Sequence, residues 1–168
     1  MDKIKILDNF IDPYDCDFAI SFYNDLRDRK KFMDLEDGRW LLVNPKLEEV
    51  KYLVNKYVAK ISELYETTFY PREIFVSFYR TSSELEPHID FEHPKLRDSL
   101  GMMLYFNDDF EGGEVYFPDL DYQYKPNKGT AFIFPCNEYL HGVKAITKGY
   151  RYAMPIEITQ HKEFSIYK

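Results

Sequence analysis

The spacing of apolar residues changes near residue 72, and this change constrains the fold more than any other feature of the chain. Before it, the spacing is helical. Asp12-Pro13 supplies an N-cap with Pro at the first helical position, and Phe18, Phe22 and Leu26 then recur every four residues. A turn at Asp37-Gly38 leads into residues 40–43, short enough for an edge strand. Pro45 opens a second helix whose apolar face is Leu47, Val50, Val54, Tyr57, Val58, Ile61, Leu64 and Tyr65. From Arg72 the pattern breaks into runs that suit strands: 73–81, 85–91, 99–107, 113–118, 120–125, 129–135, 139–146 and 150–158. Asn107-Asp108-Asp109, Gly112-Gly113, Pro126-Asn127-Lys128-Gly129 and Lys148-Gly149 punctuate them. About eight short strands at close spacing predict a sandwich or jelly roll, and two amphipathic helices need a sheet face to pack on.

A length of 168 residues suits one domain, 1–168, read as a helical support region over 1–70 and a β core over 72–158. The net charge of −7 argues against a duplex nucleic-acid partner, which needs a dense basic face. The one basic run, Arg27-Asp28-Arg29-Lys30-Lys31, falls at the expected end of the first helix, where cations offset the macrodipole. The first residues carry no apolar leader and no run is long enough to span a bilayer. Cys16 and Cys136 have no paired spacing, which excludes a disulfide framework or a Cys-based zinc site and fits a reducing compartment. The expectation is a cytoplasmic protein with no membrane partner.

Four residues carry candidate chemistry. His88 and Asp90 are two apart, so in a strand they project from one face and can grip one ion together. His141 lies in the apolar run Leu140-His141-Gly142-Val143, and Arg151 follows it by ten residues. Each has a plainer explanation. A His-x-Asp arises by chance on polar strand faces, a lone His in an apolar strand is more often a hydrogen-bonded core residue, and a strand Arg is usually exposed. His93 and His161 compete with His141, but the first precedes Pro94 in an expected loop and the second sits in a polar tail. Taken together, two imidazoles and one carboxylate form the facial triad of non-haem Fe(II), and an Arg fork nearby suits a dicarboxylate.

Order and spacing add a resemblance. Tyr79 in Phe78-Tyr79-Arg80 precedes Glu86-Pro87-His88-Ile89-Asp90. Met103-Leu104-Tyr105-Phe106-Asn107-Asp108 then runs into Phe110-Glu111-Gly112-Gly113-Glu114-Val115-Tyr116-Phe117-Pro118. Pro126-Asn127-Lys128-Gly129-Thr130-Ala131-Phe132-Ile133-Phe134-Pro135 leads to His141 and Arg151. From about Phe75 to Tyr152 the chain resembles the iron- and 2-oxoglutarate-dependent dioxygenases, in particular their prolyl 4-hydroxylase-like branch, although many of that branch carry Lys where Arg151 stands. The resemblance implies a mainly β (α+β) fold: a double-stranded β-helix (jelly-roll) core of about eight strands with two N-terminal helices on one face. It implies His88, Asp90 and His141 as Fe(II) ligands and Arg151 on the distal carboxylate of 2-oxoglutarate, with Tyr79 and Tyr105 donating hydroxyl hydrogen bonds to that co-substrate. It also implies O2 as co-substrate, ascorbate as an optional reductant, and hydroxylation of a peptidyl proline or another protein residue with release of succinate and CO2. A free amino acid or small metabolite is the alternative substrate, and a non-catalytic cupin-like metal-binding module the alternative class.

Overall fold

The computed structural model describes residues 3–90 and 94–167. Its strands are β1 (Lys5–Leu7), β2 (Met33–Asp34), β3 (Trp40–Val43), β4 (Tyr70–Tyr79), β5 (Leu85–His88), β6 (Leu100–Tyr105), β7 (Glu111–Gly112), β8 (Val115–Phe117), β9 (Tyr122–Tyr124), β10 (Ala131–Phe134), β11 (His141–Val143), β12 (Ile146–Lys148) and β13 (Arg151–Thr159). The helices α1 (Pro13–Asp28) and α2 (Glu48–Leu64) complete the regular structure with three short 3-10 turns. A seven-stranded antiparallel sheet has the order β1-β10-β6-β13-β4-β3-β2, and a four-stranded sheet β5-β11-β8-β9 faces part of it. This is the jelly roll expected from the strand pattern: most expected strands are shortened at their ends, β4 starts earlier at Tyr70, β13 runs on to Thr159, and the expected strand 139–146 divides into β11 and β12.

Alternation along the major sheet decides what each face does. Val76, Phe78, Met102, Leu104, Met154 and Ile156 turn outward and pack under both helices with Tyr23, Leu26, Val54, Tyr57 and Ile61. Tyr105, Phe132, Phe134 and Ala153 turn inward against Val115 and Phe117 of the minor sheet. The hydroxyl of Tyr23 donates to Ala153 O at 2.7 Å, pinning α1 to the central strand β13.

Several details depart from expectation. Asp12 occupies the N-cap of α1 without capping through its side chain, because its carboxylate accepts from Lys56 of α2 at 2.6 Å instead. Phe18 flanks the buried face of α1 and meets Tyr52 edge-on, while Asp15, Cys16, Ala19 and Tyr23 share that face with Phe22 and Leu26. Leu64 ends α2 at 56% exposure, outside the apolar stripe. β3 is not the edge, since the two-residue β2 covers it. At the opposite edge, β1 pairs with β10. The C-terminal segment folds back: the Ile166 N–H donates to Pro71 O at 3.0 Å. Among the described residues no helix is long and apolar enough to cross a membrane.

Candidate metal and co-substrate site

β5 and β11 run antiparallel with His88 directly opposite His141, while Leu85 is opposite Val143. Two residues of β5, Glu86 and Pro87, therefore oppose the single Gly142 of β11, a bulge where the ring nitrogen of Pro87 has no proton for the ladder. Gly142 permits the close approach, because a Cβ there would lie 2.6 Å from Leu85 O. The strand ends at His88, and Asp90 is held beyond it by its N–H donating to Cys136 O at 3.2 Å.

The result is a compact cluster. Ligand atoms of His88, Asp90 and His141 all lie within 4.8 Å of one another. His88 Nε2 is 3.4 Å and His141 Nε2 3.8 Å from Asp90 Oδ1. His88 Nδ1 lies 2.9 Å from Glu86 O, and His141 Nδ1 2.9 Å from Tyr139 O. A carbonyl can only accept, so both Nδ1 atoms carry a proton and each Nε2 is turned toward the carboxylate, where a proton on His88 Nε2 is shared with Asp90. The hydrogen bond with Asp90 raises the pKa of His88, whereas burial lowers that of His141. Burial pushes the Asp90 carboxyl up, but the His88 hydrogen bond and the charges of both imidazoles outweigh it and hold it below the usual range. His161 lies in the C-terminal segment, next to Glu163 and Phe164. His93 is outside the described residues.

Arg151 starts β13 directly opposite Tyr79 of β4. It is 2% exposed, its guanidinium carbon 4.5 Å above the Tyr79 ring and 5.0 Å above the Tyr105 ring. Nη2 donates to the Tyr105 hydroxyl at 3.3 Å, and Nε has no hydrogen-bond partner. Among the described residues no carboxylate pairs with it. Asn107 fixes the start of this strand. Its Nδ2 donates to Tyr150 O at 2.7 Å, and its Oδ1 accepts from the Tyr152 N–H at 2.9 Å. Gly113 lies beside Arg151 in the left-handed region, where a Cβ would come 2.5 Å from Ile146 and 3.3 Å from Arg151 Cδ.

A cleft of about 390 Å³ opens beside the cluster and runs along the inner face of the major sheet. Tyr79, His88, Asp90 and His141 line it together with Glu73, Gly101 and Glu157. Arg39, which sequence reasoning missed, also borders it, with its guanidinium on Asp37 at 2.7 Å. Nothing local to Gly38-Arg39-Trp40 marks that role. Glu157 was also missed, although counting by twos from Arg151 places it on the same face.

The family model described as the 2OG-Fe(II) oxygenase superfamily matches residues 74–156. The chain belongs to that superfamily. Family members work with Fe(II), 2-oxoglutarate and O2. Over 63 residues the chain is 44% identical to prolyl 3-hydroxylase 2 of Homo sapiens, a match covering 34% of this chain and 9% of that protein. It thus spans about a tenth of the length of this curated relative. A viral collagen prolyl hydroxylase of Paramecium bursaria Chlorella virus-1, solved with 2OG, superposes with a TM-score of 0.71 at 19% identity, covering 93% of this chain and 95% of that one. A Pseudomonas putida prolyl-4-hydroxylase gives a TM-score of 0.74 at 15% identity over 95% and 93% of the two chains. At these identities the structural likeness is one of fold.

The residues present suit the family's cofactor and co-substrate. Two imidazoles and a carboxylate are a donor set for non-haem Fe(II), and a buried guanidinium with no counter-ion among the described residues suits a bound dicarboxylate.

Proposed function

We propose that this protein is an Fe(II)- and 2-oxoglutarate-dependent dioxygenase that hydroxylates a peptidyl proline or another protein residue. His88, Asp90 and His141 hold the metal, and Arg151, Tyr79 and Tyr105 hold 2-oxoglutarate. The observation that carries this reading is Arg151: a 2% exposed cation with an unpartnered Nε, enclosed by two tyrosine rings. A buried unpaired charge costs several kcal/mol, so the pocket is explained by an anion that arrives with the co-substrate.

Fe(II) at the triad would couple decarboxylation of 2-oxoglutarate to reduction of O2, placing one oxygen atom in succinate and the other in the new hydroxyl. The chain's own groups do the positioning. Glu86 O and Tyr139 O hold both Nδ1 protons, so each Nε2 points inward. Arg151 engages the distal carboxylate through charge-assisted hydrogen bonds. The Tyr105 hydroxyl accepts from Arg151 and keeps its own proton free to donate to the same carboxylate. Phe117 and Phe134 pack on the His141 ring and keep water from that side of the site. Substrate enters along the cleft beside His88, whose side chain is 36% exposed against 2% for His141. The prolyl hydroxylase names of the relatives support a prolyl peptide. The two buried free thiols, Cys16 and Cys136, support a reducing compartment such as the cytoplasm.

The test is release of succinate and CO2 from 2-oxoglutarate by purified protein with Fe(II) and ascorbate. A +16 Da product screen over proline-containing peptides and free amino acids separates a protein substrate from a small one. Asp90→Ala is expected to weaken Fe(II) binding by more than about 100-fold and to abolish succinate release. A wild-type protein that binds Fe(II) but releases no succinate contradicts the reading and favours a metal-binding module.

A further inference from the structure

The inward-facing residues of β13 form a row with opposite charges at its ends. Arg151, Ala153, Pro155 and Glu157 alternate onto the interior face, opposite Tyr79, Ser77 and Glu73 of β4 and Tyr105, Met103 and Gly101 of β6. Six residues of strand place the two charged ends about 20 Å apart. Arg151 and Glu157 are both nearly fully buried, at 2% and 5% exposure. The metal cluster and Glu157 line the same cleft.

Glu157 is incompletely satisfied. One carboxylate oxygen, Oε2, accepts from Arg72 Nη2, while Oε1 is buried without a hydrogen-bond partner. The same Arg72 Nη2 also reaches Glu73 Oε2 at 3.3 Å. Two carboxylates thus share one guanidinium where they border the cleft. Burial raises the pKa of Glu157, with Arg72 opposing and the charge of Asp90 adding to the rise. Gly101, opposite Glu157, contributes no side chain, and a Cβ there would come within 3.1 Å of Cys136 and Phe134. Phe75, Met103 and Pro155 give the intervening wall an apolar lining.

We propose that Glu157, assisted by Glu73, is the specificity determinant of the cleft and selects a substrate bearing a cationic nitrogen, such as a lysine or arginine side chain, at the end away from the oxidised carbon. The inference rests on the dioxygenase reading above and adds the charge class of the substrate. Arg151 receives the co-substrate's negative charge at one end of β13, and Glu157 receives the substrate's positive charge at the other. The apolar wall between them accommodates a ring or aliphatic stem.

The test uses the Fe(II)-loaded enzyme with 2-oxoglutarate. The probes are blocked peptides containing one proline and differing only by lysine, norleucine or glutamate at successive positions on either side of it, with free lysine, norleucine and glutamate alongside. Stimulation of succinate release and the +16 Da product are both recorded. Lysine probes are expected to exceed norleucine probes by about tenfold or more in kcat/KM, and glutamate probes to be inert. Glu157→Gln should bring the lysine-to-norleucine ratio within about twofold, and Glu73→Gln should reduce it by about threefold. The ratio is measured within one preparation, so partial misfolding does not move it, and the less buried Glu73 supplies a second variant. Equal use of lysine and norleucine, a preference unchanged in both variants, or succinate release that no lysine probe stimulates would each overturn the inference. A wild-type enzyme that releases no succinate under any condition removes the dioxygenase reading with it.

Discussion

Two buried charges in this molecule have opposite surroundings. Asp15 lies fully buried between the helices, and every neighbour answers it: the Tyr57 hydroxyl donates at 2.6 Å, the Tyr52 hydroxyl at 3.0 Å and Lys56 Nζ at 2.7 Å. Arg151 is as deeply buried inside the jelly roll, yet among the described residues it meets two tyrosine rings, one hydroxyl and no carboxylate. A satisfied buried charge holds elements together, whereas a buried charge left short of partners lowers stability unless something else binds it. The first cluster joins α1 to α2, and the second is the one we propose takes a ligand. The contrast separates structural from functional electrostatics within one chain.

Removing Asp15 is the largest disturbance this contrast predicts. Asp15→Ala should cost about 3 kcal/mol in urea unfolding, since three donors lose a common acceptor. A loss below about 1 kcal/mol would mean that the interhelical cluster is not structural. Acid should expose the same contact. Burial pushes the Asp15 carboxyl up, but hydrogen bonds from Lys56, Tyr57 and Tyr52 hold it below its usual value. A depressed folded pKa gives stability that is present above the unfolded value of about 3.9 and is lost as pH falls through the folded one. The stability advantage of wild type over Asp15→Asn should therefore shrink below about pH 4, and a constant difference down to pH 2 would refute the assignment.

Asn107→Ala tests the frame around Arg151 and should cost about 1–2 kcal/mol, because Tyr150 O and the Tyr152 N–H lose their side-chain partner. It should also weaken 2-oxoglutarate binding, so unchanged affinity would show that β13 holds Arg151 without the clamp. The smallest effect on stability is expected at Arg151 itself. Arg151→Met should leave unfolding within about 1 kcal/mol of wild type, or raise its free energy, since it removes an unpaired charge from an apolar wall. A loss like that of Asp15→Ala would place both clusters in the same structural class.

Much of this was legible in the sequence for local reasons. Strand alternation and glycine-marked turns are short-range signals, so β4, β6, β10 and β13 fell close to where apolar residues alternate. The spacing of His88, Asp90, His141 and Arg151 located the candidate site, although the pairing of His88 with His141 is a long-range register that no local pattern states. What escaped notice depends on tertiary partners. β1 has only three residues and is a strand because β10 offers it an edge. Arg39 reaches the cleft through the β2–β3 hairpin, and Glu157 looks like an ordinary strand charge until the sheet assigns its face. Asp12 read as a helix cap because the partner that diverts it, Lys56, lies on another helix.

The central claim is that Arg151 and the His88–Asp90–His141 cluster serve one cavity that binds metal and 2-oxoglutarate together. Calorimetric titration of 2-oxoglutarate into Mn(II)-loaded wild type and Arg151→Met tests it most directly. The account predicts affinity weakened by about 10- to 100-fold in the variant, matching the loss of charge-assisted hydrogen bonds of about 1.5–3 kcal/mol, with Mn(II) affinity unchanged. Equal 2-oxoglutarate affinity in the two proteins would contradict it.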